Sequence, residues 1–195
     1  MRCLVVYCHP CPESLTAAVR DTVIAALERG GHEIRLLDLH GEGFDPVMHA
    51  EERRGYHTPG DNEKPIEAYI AHLRWADGLI FVYPTWWFGL PAMLKGWLDR
   101  VWVPHATFCM PDEHHAVRPV LENIRLIAAV STCGAPWWLL KFVGDPGRRT
   151  LLRGIAKICA RRCRRIWLAH YKIDTSTEAS RRAFLARVDR TFARL

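Results

Sequence analysis

Three stretches of this 195-residue chain gather residue types that can hold or handle a ligand. The first is His9–Thr16, where the hydroxyls of Ser14 and Thr16 open a segment of helical periodicity directly after a short apolar run. Free backbone N–H groups and the positive helix end make such a position a phosphate site. Plain N-capping uses the same residues and is the competing reading. The stretch carries no GxGxxG, which speaks against a Rossmann dinucleotide turn, and no Walker-type glycine-lysine loop, which excludes a P-loop. The second stretch is Tyr83–Pro91, with Trp86, Trp87 and Phe88 in a row. Three bulky aromatics on a surface loop cannot all be core. Their amides can bond the edge of a planar polar ring while their side chains shield its face. A hydrophobic lid or an oligomer contact is the alternative. The third is Ser131-Thr132-Cys133-Gly134, whose small residues after an apolar run let the backbone approach a ligand.

The elements that would position these stretches alternate between strand and helix. Arg2–Cys8, Glu33–Leu39, Gly78–Tyr83, Asn123–Ser131 and Arg165–His170 read as strands, three of them continuously apolar. Helical spacing covers Ser14/Thr16 to Arg29, closed by Gly30-Gly31, then Pro65–Trp75 and Ala92–Trp102, the latter opened by Pro91. An Arg-rich helix is expected over Pro146–Arg162 and a closing amphipathic helix over Thr177–Leu195. Residues 40–65 form a long polar excursion with a short helix near Ala50–Arg54. Strands apolar on both faces belong inside a parallel sheet covered by helices, so the expectation is one doubly wound, three-layer α/β domain over residues 1–195. Ligands bind such sheets beyond the strand carboxyl ends, where all three stretches fall.

Composition agrees with an ordinary globular domain: 49% hydrophobic, 25% charged, and no apolar run long enough for a membrane span. No signal-peptide layout is visible, and a cytoplasmic protein with reduced thiols is expected from the seven cysteines. The net charge is +6, and the excess of cations lies in residues 141–195, which include Arg161-Arg162-Cys163-Arg164-Arg165. That is a solvated face or an aid to binding a phosphorylated cofactor. Without an aromatic platform or recognisable motif it does not argue for nucleic acid.

With these residues in view, Tyr83-Pro84-Thr85-Trp86-Trp87-Phe88-Gly89-Leu90-Pro91 and its continuation to Val101 closely resemble the flavin-binding segment of the NAD(P)H:quinone oxidoreductase family. Cys8-His9-Pro10 with Ser14-Leu15-Thr16 is similar to that family's phosphate loop, and Ser131–Gly134 to its Thr-Thr-Gly-Gly segment, with Cys133 replacing a glycine. The resemblance implies a flavodoxin-like fold with a five-stranded parallel sheet and a non-covalent flavin, FMN or FAD. His9, Ser14, Leu15 and Thr16 would bind its phosphate. Pro84, Thr85, Trp86, Trp87 and Phe88 would hold the ring, and Ser131, Thr132, Cys133 and Gly134 its other edge. Hydride would pass from NAD(P)H to a quinone or similar small acceptor by a ping-pong route. A homodimer is also implied, with Trp97, Trp102, Trp137 and Trp138 offering apolar contact area.

One departure stands out. The Tyr and His that relay protons in animal members are absent from Ala135-Pro136-Trp137-Trp138-Leu139-Leu140, so no catalytic residue is assigned. Two rival functions remain. An ancillary subunit of a membrane transporter would use the basic end to dock. Cys8-His9-Pro10-Cys11 has the CxxC spacing of a dithiol redox site, although that reading leaves the aromatic loop unexplained. Cys109, Asp112, His114 and His115 fit no closed zinc spacing, so no metal is expected.

Overall fold

A computed structural model describes residues 1–111 and 117–195. The main elements, in order, are β1 (Arg2–Tyr7), α1 (Leu15–Arg29), β2 (Glu33–Asp38), α2 (Ala50–Gly55), α3 (Glu67–Trp75), β3 (Gly78–Thr85) and α4 (Ala92–Val101). There follow β4 (Phe108–Cys109), β5 (Arg118–Pro119), β6 (Leu126–Cys133), α5 (Trp137–Val143), α6 (Pro146–Arg149), β7 (Arg164–His170) and α7 (Glu178–Phe192). Five strands form one parallel sheet in the order β2-β1-β3-β6-β7, while β4 and β5 pair antiparallel on their own. The order changes direction between β1 and β3, which makes the rim above these strands the switch point.

The burial pattern follows from this order. β6 is buried along its whole length, and β1 and β3 almost so, while the edge strands β2 and β7 expose their first residues. On one face, Val5, Ile80, Val82 and Val130 pack against Val19, Val23 and Leu27 of α1 and Phe184, Val188 and Phe192 of α7. On the other, Leu4, Phe81 and Ile127 pack against Ile70 and Leu73 of α3 and Leu94 and Trp97 of α4. Hydrophobic burial on both faces is why these strands show no polar alternation.

Several expected boundaries move. The strand expected from Asn123 starts at Leu126, because the Asn123 side chain is used elsewhere: its Nδ2 donates to the carbonyls of Leu73 (2.9 Å) and Ala76 (2.7 Å), tying this loop to the end of α3. The expected Arg-rich helix is broken. Four residues of α6 pass into a π turn over Thr150–Gly154 and a 3-10 turn over Ile155–Ile158, after which Cys159 turns extended and bridges to Leu121. Gly147 and Gly154 weaken any continuous helix there. The unanticipated α5 is apolar in six of its seven residues, Trp-Trp-Leu-Leu-Lys-Phe-Val, so periodicity gave no signal. Its stop is Gly144 in a left-handed conformation (φ 98°).

Trp97 and Trp102, expected as surface contact area, are instead core residues with ring centroids 6.3 Å apart. Trp137 and Trp138 are exposed, as that expectation requires. Cys159 and Cys163 are buried packing residues. Asp112, His114 and His115 lie outside the described residues.

The base of the sheet is clamped electrostatically. The Asp77 carboxylate accepts from the Arg2 amide (2.9 Å) and guanidinium (2.9 Å), and these bonds hold its pKa at about 2, below the usual 3.8. A depressed carboxylate stabilises the fold above its unfolded value, and that contribution disappears as pH falls through the folded value. Asp77→Asn is therefore expected to lower stability at pH 6 by about 1 kcal/mol. The difference in melting temperature between the two proteins should close between pH 4 and pH 2. A gap that persists at pH 2 contradicts the assignment.

Candidate functional site

Four loops leave the carboxyl ends of β1, β3, β6 and β7 and enclose a cavity of about 950 Å³. Of the thirteen site residues expected from sequence, twelve line it: His9, Ser14, Leu15 and Thr16 from the first loop, Pro84, Thr85, Trp86, Trp87 and Phe88 from the second, and Thr132, Cys133 and Gly134 from the third. Ser131 does not line it. Its side chain is buried, and its Oγ lies 2.8 Å from the Thr85 Oγ1, so it supports the aromatic loop from behind.

The first wall is the start of α1. Ser14 is the N-cap, its Oγ accepting from the Ala17 N–H at 3.1 Å, so the capping reading is realised. Capping takes one amide and leaves those of Leu15 and Thr16 ahead of the first intrahelical bond, directed out of the helix end. The first turn of α1 contains no acidic residue. An anion is thus favoured here by amides and dipole together. The Thr16 and Thr132 hydroxyls meet at 2.9 Å in a buried contact that joins the first and third loops.

His9 sits between this wall and the aromatic one. Its Nδ1 accepts from the Cys11 N–H at 3.0 Å, and burial holds the imidazole pKa below its ordinary value. The ring is therefore neutral at pH 7 and carries its proton on Nε2. Its centroid lies 6.1 Å from the Trp86 ring.

The second wall is strained. Gly89 N–H donates to the Trp86 carbonyl at 3.0 Å, closing a tight turn whose two central residues, Trp87 (φ 47°) and Phe88 (φ 65°), both lie in the left-handed region. Bulky residues rarely adopt that conformation, and each costs about 1 kcal/mol or more. The strain presents Trp87 almost entirely to solvent, 95% exposed, at the cavity mouth. Trp87→Gly is expected to raise the melting temperature by a few degrees, since it relieves about 1 kcal/mol of strain and exposes no core. An unchanged or lower melting temperature would contradict the strain argument.

The third wall reveals what sequence inspection missed. Ala135 lines the cavity, as do Ile173 and Asp174 from the loop after β7. Gly134 faces Asp174 so closely that a Cβ there would lie 2.6 Å from the carboxylate oxygen. The loop after β7 was polar and lacked any motif; its position at the same rim was the available signal.

The two CxxC cysteines sit in different surroundings. Both are free; Cys8 is sealed in the core, where burial pushes its thiol up to about 12, whereas Cys11 is exposed. A thiolate at Cys8 is therefore strongly disfavoured. Cys133 is also buried and its thiol pKa raised.

Comparison with known proteins agrees with this geometry. A family model described as flavodoxin-like fold matches residues 1–190. The uncharacterized NAD(P)H oxidoreductase YcaK of Escherichia coli K12 is 34% identical over 102 residues, covering 52% of each chain. NAD(P)H dehydrogenase (quinone) 1 of Cavia porcellus is 32% identical over 150 residues, covering 69% of this chain and 54% of that protein. The chain thus spans about half the length of the curated relatives it matches. The crystal structure of Smu.1420 from Streptococcus mutans UA159 superposes with a TM-score of 0.86 at 31% identity, with both chains fully covered. Sheet order, switch-point cavity and these matches together place the chain in the flavodoxin-like fold family, among relatives named as NAD(P)H oxidoreductases and quinone reductases.

Proposed function

We propose that this chain is a flavin-dependent oxidoreductase that takes hydride from NADH or NADPH and delivers it to a quinone or similar small acceptor in a ping-pong cycle. The observation that carries the proposal is the single cavity in which an anion cradle at Ser14–Thr16 and an aromatic turn at Thr85–Phe88 face the same space. The parts fit a flavin mononucleotide moiety: amides at a helix start for the phosphate, and backbone plus aromatic side chains for a planar polar ring.

Leu15 and Thr16 amides and the Ser14 hydroxyl would hold the phosphate. Pro84–Phe88 would hold one edge of the ring, and Thr132–Gly134 the other. A bound flavin supplies two-electron hydride chemistry between donor and acceptor. The chain's own contribution is orientation and exclusion of water from one ring face. Neutral His9 offers its Nε2 proton as a hydrogen bond.

Purified protein should be yellow, with absorption near about 450 nm from the cofactor's chromophore, and should oxidise NADH or NADPH when a benzoquinone is added. Chromatography of the flavin released on denaturation decides FMN against FAD. Parallel double-reciprocal lines would support the ping-pong order. Trp87→Gly should weaken flavin retention. A colourless protein that remains inert after both flavins are supplied overturns the reading.

The proposal includes a homodimer. Its support is the exposed apolar face of α5, where Trp137 is 57%, Trp138 62% and Phe142 86% exposed beside the cavity wall. Contiguous aromatic surface of this kind marks an interface. Light scattering should give twice the chain mass, and Trp138→Arg should reduce it to one chain.

A further inference from the structure

A second cavity, of about 430 Å³, lies on the β7 side of the sheet. It is formed by the end of α5, by α6 and the turns after it, and by β7. Lys141, Arg148, Arg149, Arg153 and Arg165 line it, with Asp145 the one carboxylate in its wall among the described residues. α6 joins its wall to the aromatic loop. A Cβ on Gly147 would lie 3.5 Å from the Gly89 carbonyl carbon and 3.5 Å from the Leu90 side chain, so α6 packs directly on the end of that loop.

Charge in this cavity is uncompensated. Asp145 is buried and already engaged, paired with Lys141 and lying 3.5 Å from Arg148. Among the described residues Arg149, Arg153 and Arg165 have no carboxylate partner, and all three are exposed to solvent. Five cations around one carboxylate repel one another, and a concave wall concentrates their potential on whatever enters. Guanidinium forks match phosphate oxygens two bonds at a time. The chemistry that satisfies this arrangement is a phosphomonoester dianion. Arg161 and Arg162, the cluster most conspicuous in the sequence, do not line the cavity.

We propose that this cavity binds the 2′-phosphate of NADPH, and so makes the chain selective for NADPH over NADH. The assignment rests on the oxidoreductase reading above and identifies its donor. Proximity favours the donor's phosphate over a free one. A dinucleotide whose nicotinamide enters the cleft must lay its adenosine end over neighbouring surface, and α6, which carries Arg148 and Arg149 of this cavity, packs against Gly89 and Leu90 at the end of the aromatic loop.

The test uses the flavin-loaded protein and two readouts. Calorimetric titration with 2′,5′-ADP, 5′-AMP and inorganic phosphate reads the cavity without any turnover. The ratio of kcat/KM for NADPH to that for NADH, at fixed benzoquinone, reads selectivity. We expect 2′,5′-ADP to bind at least about tenfold more tightly than 5′-AMP or inorganic phosphate, as charge-assisted bonds to one additional dianion imply. Replacing Arg149→Gln and Arg153→Gln together should abolish that preference and lower kcat/KM for NADPH about tenfold or more, with NADH unchanged. Arg161→Gln with Arg162→Gln removes equal charge and should change neither. Equal binding of 2′,5′-ADP and 5′-AMP overturns the proposal, as does a parallel loss for both donors or the same loss in the Arg161/Arg162 variant. Inorganic phosphate binding as tightly as 2′,5′-ADP overturns the nucleotide assignment. If neither donor is oxidised, the oxidoreductase reading fails, and the 2′,5′-ADP titration still decides whether the cavity takes this phosphate.

Discussion

Ser14→Asp is expected to weaken flavin binding about 100-fold while leaving the folded protein as stable as before. The two effects separate because the side chain has two jobs. As N-cap it accepts from the Ala17 amide, and an aspartate performs that task as well as a serine. Its negative charge also suits a helix start that has no acidic residue of its own. As part of the anion cradle, however, the same carboxylate stands where a phosphate would sit. Two like charges about 4 Å apart near a protein surface repel by roughly 4 kcal/mol before screening. About 2.7 kcal/mol of that surviving is a factor of 100 in affinity. The checks are flavin affinity by fluorescence titration and the melting temperature of flavin-free protein. Retained affinity would mean that the cradle holds no phosphate. Ser14→Ala is the complementary variant: it should lose about 1 kcal/mol of stability and far less affinity.

The second large effect is on stability, and its sign runs against the usual rule. Glycine to alanine inside a helix ordinarily stabilises by about 1 kcal/mol. Gly96 lies in the middle of α4, yet Gly96→Ala is expected to destabilise. A Cβ there would lie 2.2 Å from the Pro46 carbonyl oxygen and 2.6 Å from its Cα, both backbone atoms that no rotamer change can move. The chain around Pro46 would have to retreat, and with it Phe44, which is buried against Tyr69 at a ring distance of 5.1 Å. Overpacking of this kind costs 1–3 kcal/mol or more. We expect a net loss of about 2 kcal/mol, a fall of roughly 4–8 °C in melting temperature. A rise would show that this loop is not seated on α4.

That contact also marks the limit of what sequence patterns convey. Apolar runs such as Cys3–Val6 and Leu126–Val130 announce buried parallel strands, because burial on both faces leaves a local trace at every position. The aromatic row Trp86–Phe88 is legible for a similar reason: it violates the expectation that loops are polar. The seat of residues 40–49 on α4 leaves no such trace, since a single glycine in a helix says nothing of what approaches it. Nor did Ile173 and Asp174 stand out, because their place in the cleft depends on where β7 enters the sheet and not on their own neighbours. Ser131 lies one residue short of the cavity lining. Its hydroxyl meets Thr85, while Thr132, Cys133 and Gly134, nearer the strand's carboxyl end, line the cavity. The helix expected after Pro146 breaks where Gly147 and Gly154 weaken it, and Cys159 then leaves it to bridge to Leu121.

The hydroxyl contact between Thr16 and Thr132 spans 116 positions of the chain. Cradle and ring slot are therefore built from segments far apart in the chain, and none of them possesses a binding surface alone. A ligand that recognises only the assembled arrangement draws the folding equilibrium toward completion by mass action. Where that ligand is coloured, retained colour would then serve as a census of correctly finished molecules.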